Sequence, residues 1–434
     1  LTSNQPLHGV QIFGTGFASG MQVRLDGVDI TTQGGTIDSI AGNGREVDVS
    51  IPAVLLSAPH HYALDVLSQG AQSNVVEFLV IQSVDLSKEC TDSSGNAVNT
   101  LPTSVALADQ IANGPFSPIG LVSISGCNSV VELDLNPAHM TFGQQMGSPI
   151  SVGTGPQGIA ISQKLGLAVV ANHGTNTASV LDLTQNPPVQ KVPDVNTGTS
   201  PTGVGIDDAT GAALVANTGS NTVSLLDLGS LFPPAGTAPP TTLTPTSIGG
   251  VQQPLAVAID PDRGTNNQGI AVVTAVTLSS LGPSGSLAVI EIGFTTPVLS
   301  TTISSGFVSS TPTGIVFDPT VVTNTANPGV FYANSSGTNA IQQFNPDTSG
   351  GSSVSVGINP TSLAINPQTG AILTSNFGSN TASIVDTVSS PFKTHQTLGI
   401  PGSPTFGVAI DQFTNLAVLV DQANMRVLLF PMPN

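Results

Sequence analysis

The sequence predicts an all-β protein: a small β-sandwich over 1–82, a linker over 83–101, and a seven-bladed β-propeller over 102–434 closed by a strand from its N-terminal side. Three observations predict it. Gly (47) and Pro (33) punctuate a chain with 8% charged residues, no Trp and a mean hydropathy of +0.25, a composition of short strands and turns that is too apolar for disorder. Residues 1–82 carry short alternating runs separated by turn residues. From residue 102 onward, one unit recurs seven times.

In the first part, VQIFGTGF (10–17), MQVRLDGVDI (21–30), REVDVSIP (45–52), HYALDVLS (61–68) and NVVEFLV (74–80) read as strands. Alternation puts Val23 and Leu25 on one face, Arg24 and Asp26 on the other, and Asp26-Gly27 marks a hairpin turn. The run Ile12-Phe13-Gly14-Thr15-Gly16-Phe17, the Leu25-Asp26-Gly27-Val28 hairpin, Val49-Ser50-Ile51-Pro52 and the closing Val75–Val80 run resemble the IPT/TIG immunoglobulin-like family. That resemblance implies an Ig-like sandwich used for spacing, adhesion or assembly. Such domains begin with a strand upstream of this run, where only LTSNQPLH stands. Either the edge is short, or it is open to a strand from another chain.

Residues 83–101 are turn-rich and end in a short apolar stretch, Ala97 to Leu101. The linker holds Cys90, and Cys127 lies in the first repeat. In an exported protein the two form one bridge pinning linker to repeat; otherwise they are free thiols.

Each repeat opens with Pro and a small apolar run: Pro102, Pro156, Pro201, Pro254, Pro312, Pro360 and Pro404, spaced 44 to 58 residues apart. Asp207, Asp260, Asp318 or Asn366 stands six residues later; repeat 2 has Ser162, and repeats 1 and 7 carry Asp109 and Asp411 one place further on, a sign of a bulge or local shift. A third strand follows Asn128, Asn176, Asn221, Asn339, Asn380 and Asn424, with Gly285 in repeat 4. It ends at Asp134, Asp182, Asp227, Glu291, Asn345 and Asp386, with Phe430 in repeat 7. Turn chemistry accounts for both sets. The runs 169–182, 215–227 and 375–386, each of the form Ala/Ser-Asn…Asn-Thr-x-Ser-x-x-Asp, resemble the YVTN family of β-propeller repeats. The last repeat stops soon after Phe430 without an outer strand. The stretch from Ala97 to Leu101 is therefore expected to pair with the stretch from Met425 to Phe430 and close the ring.

Candidate chemistry is sparse. The six His show no ligand spacing, and His60 and His61 point to opposite faces of one strand. Asp260-Pro261-Asp262-Arg263-Gly264 lacks the order of a calcium loop and reads as a turn. Asn334-Ser335-Ser336 is a glycosylation sequon, expected on a surface loop. A net charge of −18 with eight Lys and Arg argues against nucleic acid and anionic lipid, and no apolar run is long enough for a membrane helix. The chain starts at Leu1, as a processed or partial product would.

The expectation is an exported, non-catalytic structural or adhesive protein of the cell surface or matrix. It uses no cofactor or metal, and its partners are copies of itself in a layer or fibre, or another surface component. The YVTN resemblance implies the surface-layer setting. A glycan- or protein-binding propeller is the alternative. The resemblance also extends to lactonase-like enzymes, for which a perturbed carboxylate beside Arg263 or Arg426 would be the sign.

Overall fold

A computed structural model describes the chain except residues 1–6, 14, 57–58, 92–97, 113, 115–117, 264–268, 280–281, 293–296, 304–310, 322–328, 348–350, 390–391, 401–406 and 433–434. The described residues form antiparallel sheets, turns and short 3-10 helices, with no α-helix. They divide into two compact units, Leu1–Val84 with Leu428–Pro433, and Asp85–Val427 with Asn434.

In the first unit, Leu7–Phe13, Glu46–Ile51 and Thr36–Ile40 form one sheet. Val28–Asp29, Gln22–Leu25, His60–Ser68, Ala71–Gln72 and Val76–Val80 form the other. Alternation decides the faces. Val47, Val49 and Ile51 from one sheet and Val23, Leu25 and Val66 from the other meet in one buried core. Asp26 and Gly27 both adopt left-handed backbone (φ 51° and 78°) between the paired Leu25 and Val28, a two-residue turn matching strand twist. On the outer face Arg24 grips Asp65 through Nε at 2.9 Å. A separate strand upstream of the run from Ile12 to Phe17 would fall in residues 1–6, outside the described residues; the described strand Leu7–Phe13 already takes in Leu7 and His8.

Seven further four-stranded antiparallel sheets follow along the chain, numbered here in chain order. Their first strands are Pro102–Ala108, Pro156–Ser162, Pro201–Ile206, Val257–Asp260, Ile315–Asp318, Pro360–Asn366 and Val408–Ile410. Each first strand packs against the next, and Val408–Ile410 packs back against Pro102–Ala108, so the seven sheets form a closed cycle. In sheets 1, 2, 3, 5, 6 and 7 the second strands are buried along their whole length because both faces are covered. In Leu167–Asn172, Leu167, Val169 and Ala171 pack towards Ala213 and Val215 of sheet 3, while Ala168 and Val170 pack towards Leu121 and Val130 of sheet 1. Outer strands such as Val189–Asn196 are largely exposed.

The cycle is completed differently from the sequence expectation. Sheet 7 runs Val408–Ile410, Leu416–Asp421, Arg426–Pro431 and then Gln82–Asp85. Just past that strand, Leu86 N–H donates to the Met425 carbonyl at 2.8 Å. The strand beside Arg426–Pro431 is therefore Gln82–Asp85, and the described residues 98–101 form no strand. Val84 and Leu86 are buried while Asp85 between them is exposed, a strand's period-two signature. Leu101 lies outside any strand with left-handed backbone (φ 46°), and its carbonyl accepts from Ser125 N–H. Ala97 lies outside the described residues, as does Pro404.

Two register expectations also change. In sheet 7 the left-handed turn residue is Met425 (φ 52°), where other sheets place Asn, so the third strand starts one residue later than Asn424 implied and ends at Pro431 rather than Phe430. In sheet 4 the hairpin Ile270–Ser279 and Gly282–Glu291 is longer, so Gly285 pairs with Val276 inside the ladder rather than opening a turn.

Candidate functional site

The first strands surround a cavity of about 450 Å³. All seven sheets line it, through residues such as Ser104, Gln157, Thr202, Ala256, Ser362 and Val408. The lining is hydroxyl, amide, glycine and aliphatic, with no titratable side chain among the described residues. Several of its threonines stitch the ring. Thr103 Oγ1 donates to the Pro156 carbonyl (2.9 Å), Thr202 Oγ1 to Leu255 (3.1 Å) and Thr313 Oγ1 to Thr361 (2.8 Å), each reaching the neighbouring sheet. Gly203 is required here, because a Cβ would lie 2.2 Å from the Leu255 carbonyl oxygen. Such a cavity has the size and lining for a small neutral ligand held through hydroxyl and amide hydrogen bonds.

The repeated polar residues are engaged in the frame. Asp207 accepts from Ala209 N–H (2.8 Å) and Asp318 from Thr320 N–H (2.9 Å), each closing an Asx turn after a first strand. Asp411 does the same for Phe413 and Thr414, directly after its strand, so it is the true counterpart of Asp207. In sheet 1 that place is Ala108, and Asp109 is the residue beyond it.

The Asn set has a role the sequence did not reveal. Asn176, Asn221 and Asn339 sit in left-handed backbone (φ 58°, 56° and 52°). Their Oδ1 atoms accept from Ser200, Gln253 and Asn359 N–H at 2.8–2.9 Å. Those three residues precede the opening prolines and are themselves left-handed (φ 54°, 38° and 54°), a conformation unusual before proline. Each Asn therefore fastens its own sheet to the start of the next. Asn221→Ala loses this bond and leaves Ala in left-handed backbone, so stability should fall by about 2 kcal/mol, read as a lower urea midpoint. A second network, also missed, lies beneath: the buried Asn172, Asn217 and Asn376 Nδ2 groups donate to Ser179, Ser224 and Ser383 Oγ at 2.9–3.0 Å.

Three carboxyls are raised. Asp109 is pushed up to about 7 by burial first and then by Asp411 beside it. Glu132 is also raised to about 7, by burial and by Asp134 two residues on. Asp260 is raised by burial, opposed by Arg263. This is the perturbed carboxylate beside an arginine that an enzyme site would show. However, Arg263 and Asp260 are only 4% and 2% exposed, and the guanidinium also bonds Asn345 Oδ1 and the Gly329 carbonyl at 3.0 Å. Arg263 Nε lies 2.9 Å from Asp260 Oδ2, but the N–H does not aim at that oxygen, so the contact is an ion pair rather than a hydrogen bond. The group is a buried clamp between sheets 4 and 5.

Asp109 and Glu132 have ordinary values of 3.8 and 4.5. Their contribution to stability is complete below about pH 4 and is lost as pH rises through about 7, at up to about 1.4 kcal/mol per pH unit per group. Urea midpoints should therefore fall from pH 4 to pH 8. Asp109→Asn, whose amide can donate to Asp411 at any pH, should raise the pH 8 midpoint by the equivalent of about 2 kcal/mol and leave pH 4 unchanged.

The remaining site residues are placed as follows. Cys90 and Cys127 are joined by a disulfide. Asn334 is fully buried in strand Val330–Ser335, where its Oδ1 accepts from Thr313 and Gly314 N–H at 2.8 and 2.9 Å; it is not on a surface loop, and the folded chain does not present it for glycosylation. His60 bonds Asp26 at 2.8 Å, and His139 bonds Asp134 at 3.0 Å. No group of three or more metal-ligating side chains occurs among the described residues, and no helix among them is long and apolar enough to cross a membrane.

The fold has a solved counterpart. The chain is similar to the structure of Kuenenia stuttgartiensis hydrazine synthase, with a TM-score of 0.60 at 15% identity over 77% of this chain and 96% of that one. At that identity the likeness concerns the fold alone. No protein-family model matches the chain, and no curated protein matches it.

Proposed function

We propose that this chain is an exported, non-catalytic scaffold: a YVTN-type seven-bladed β-propeller closed by Gln82–Asp85 and preceded by an Ig-like sandwich, acting as a structural or adhesive component of a cell surface or matrix. The observation that carries this reading is where the polar groups go. The repeated Asp and Asn side chains fasten turns and sheets, Arg263 is a buried clamp, and the central cavity is lined by hydroxyls and aliphatics. A bridge between Cys90 and Cys127 supports an oxidising compartment. Exposed apolar side chains such as Phe413 (68%) and Val388 (76%) are available for contacts with another copy. The name of the solved counterpart is that of an enzyme, but a fold carries no chemistry across by itself.

Two measurements test the reading. Antibody detection in fractionated native cells should place the chain in the surface or secreted fraction; a reduced, cytoplasmic pool contradicts export. Light scattering of purified protein should show mass rising with concentration; a monomer at every concentration contradicts self-assembly.

A further inference from the structure

Sheets 1, 2, 3 and 6 end their third strand on an aspartate: Asp134, Asp182, Asp227 and Asp386. In each, Oδ1 accepts a backbone N–H two or three residues on, from Asn136, Thr184, Ser230 and Val388 at 2.9–3.1 Å. The second oxygen distinguishes them. Asp134 Oδ2 takes His139 Nδ1 at 3.0 Å and the Thr141 hydroxyl. Asp182 Oδ2 takes the Lys191 ammonium at 2.9 Å. Asp386 Oδ2 takes the Ser389 hydroxyl at 2.5 Å. Asp227 Oδ2 has no partner among the described residues, and a pocket of about 340 Å³ lies against it.

The pocket exists because the repeat is broken here. Sheets 2 and 6 reach their outer strands across 183–188 and 387–392, but sheet 3 takes the longer path 228–245, rich in Pro and Thr. That path walls the space with Pro240, Thr242, Leu243 and Thr244, opposite Leu225 and Asp227. The other three sheets show what this oxygen accepts: an ammonium, an imidazole N–H or a hydroxyl. In sheet 3 the hydroxyls of Ser230, Thr242, Thr244 and Thr246 line the space, but none among the described residues bonds this oxygen, which leaves room for a molecule that does.

We propose that this pocket binds a small ligand carrying a protonated primary amine beside hydroxyls, the chemistry of an amino sugar. The ammonium takes the place of Lys191 Nζ, on Asp227 Oδ2. The hydroxyls meet the Thr242 and Thr244 side chains, and the ligand's apolar face lies on Leu225 and Leu243. The volume fits a single sugar ring. This site does not depend on where the protein resides or whether it assembles.

The test uses the full chain and glucosamine, followed by ligand-observed NMR and calorimetry. Saturable binding with a Kd of about 1 mM is expected, with glucose and N-acetylglucosamine, which lack the free amine, at least about tenfold weaker. Asp227→Asn should weaken glucosamine binding by about tenfold or more. Asp182→Asn, at the counterpart already filled by Lys191, should leave it unchanged. Thr244→Lys, which offers an internal ammonium, should abolish binding while keeping the melting temperature at or above that of the parent, which separates loss of the site from loss of the fold. No saturable binding, equal binding of glucose, or undiminished binding by Asp227→Asn overturns the proposal.

Discussion

Replacing Leu86 with proline, or Val84 with aspartate, is expected to destabilise the full chain by about 3 kcal/mol or more and to promote aggregation. Leu86→Pro removes the N–H that bonds the Met425 carbonyl, and Val84→Asp places a carboxylate where a side chain only 7% exposed now packs. Either change unseats the fourth strand of sheet 7. The strand Arg426–Pro431 would then carry a row of unpaired backbone groups along Val427, Leu428, Leu429 and Phe430, an apolar edge of the kind that recruits other chains. Circular dichroism melts and light scattering read both effects. A variant with parental stability and no aggregation would show that sheet 7 does not need this strand.

Converting both Cys90 and Cys127 to serine is expected to cost about 4 kcal/mol, the chain-entropy value for a loop of this length. The bridge spans a sequence separation of 37. Its position matters more than its length. Cys90 lies four residues beyond Leu86, and Cys127 adjoins Asn128, the turn residue of sheet 1. The bridge therefore ties the chain leaving the last sheet's fourth strand to the first sheet, across the seam where the cycle is not covalently continuous. Reductant should lower the parent's urea midpoint to that of the double variant and leave the variant unchanged. A parent indifferent to reductant would mean the bridge contributes nothing.

The all-β class and the seven repeats were legible because the apolar runs and the Pro, Asp and Asn punctuation repeat in register. The closing strand was not, because it is four residues long and Gln82 and Ser83 dilute its apolar content. The alternation of Val84 and Leu86 was the available signal, and the more apolar stretch before Pro102 obscured it. The Asn fastenings were invisible because Asn221 and Gln253 are far apart in sequence and meet only once two sheets pack. Asn334 looked like a loop residue from its sequon alone, and burial overrides that pattern. The open oxygen of Asp227 needed both the repeat and its interruption: the sequence showed four equal aspartates, and only the packed 228–245 segment sets one apart.

Ring closure by Gln82–Asp85 is tested most directly by native-state hydrogen exchange on the full chain, followed by mass spectrometry. Peptides covering 82–86 should exchange as slowly as those covering 426–431, with the protection of both lost together as denaturant is added. Rapid exchange at 82–86, with slow exchange at 98–101 instead, would contradict the closure described here.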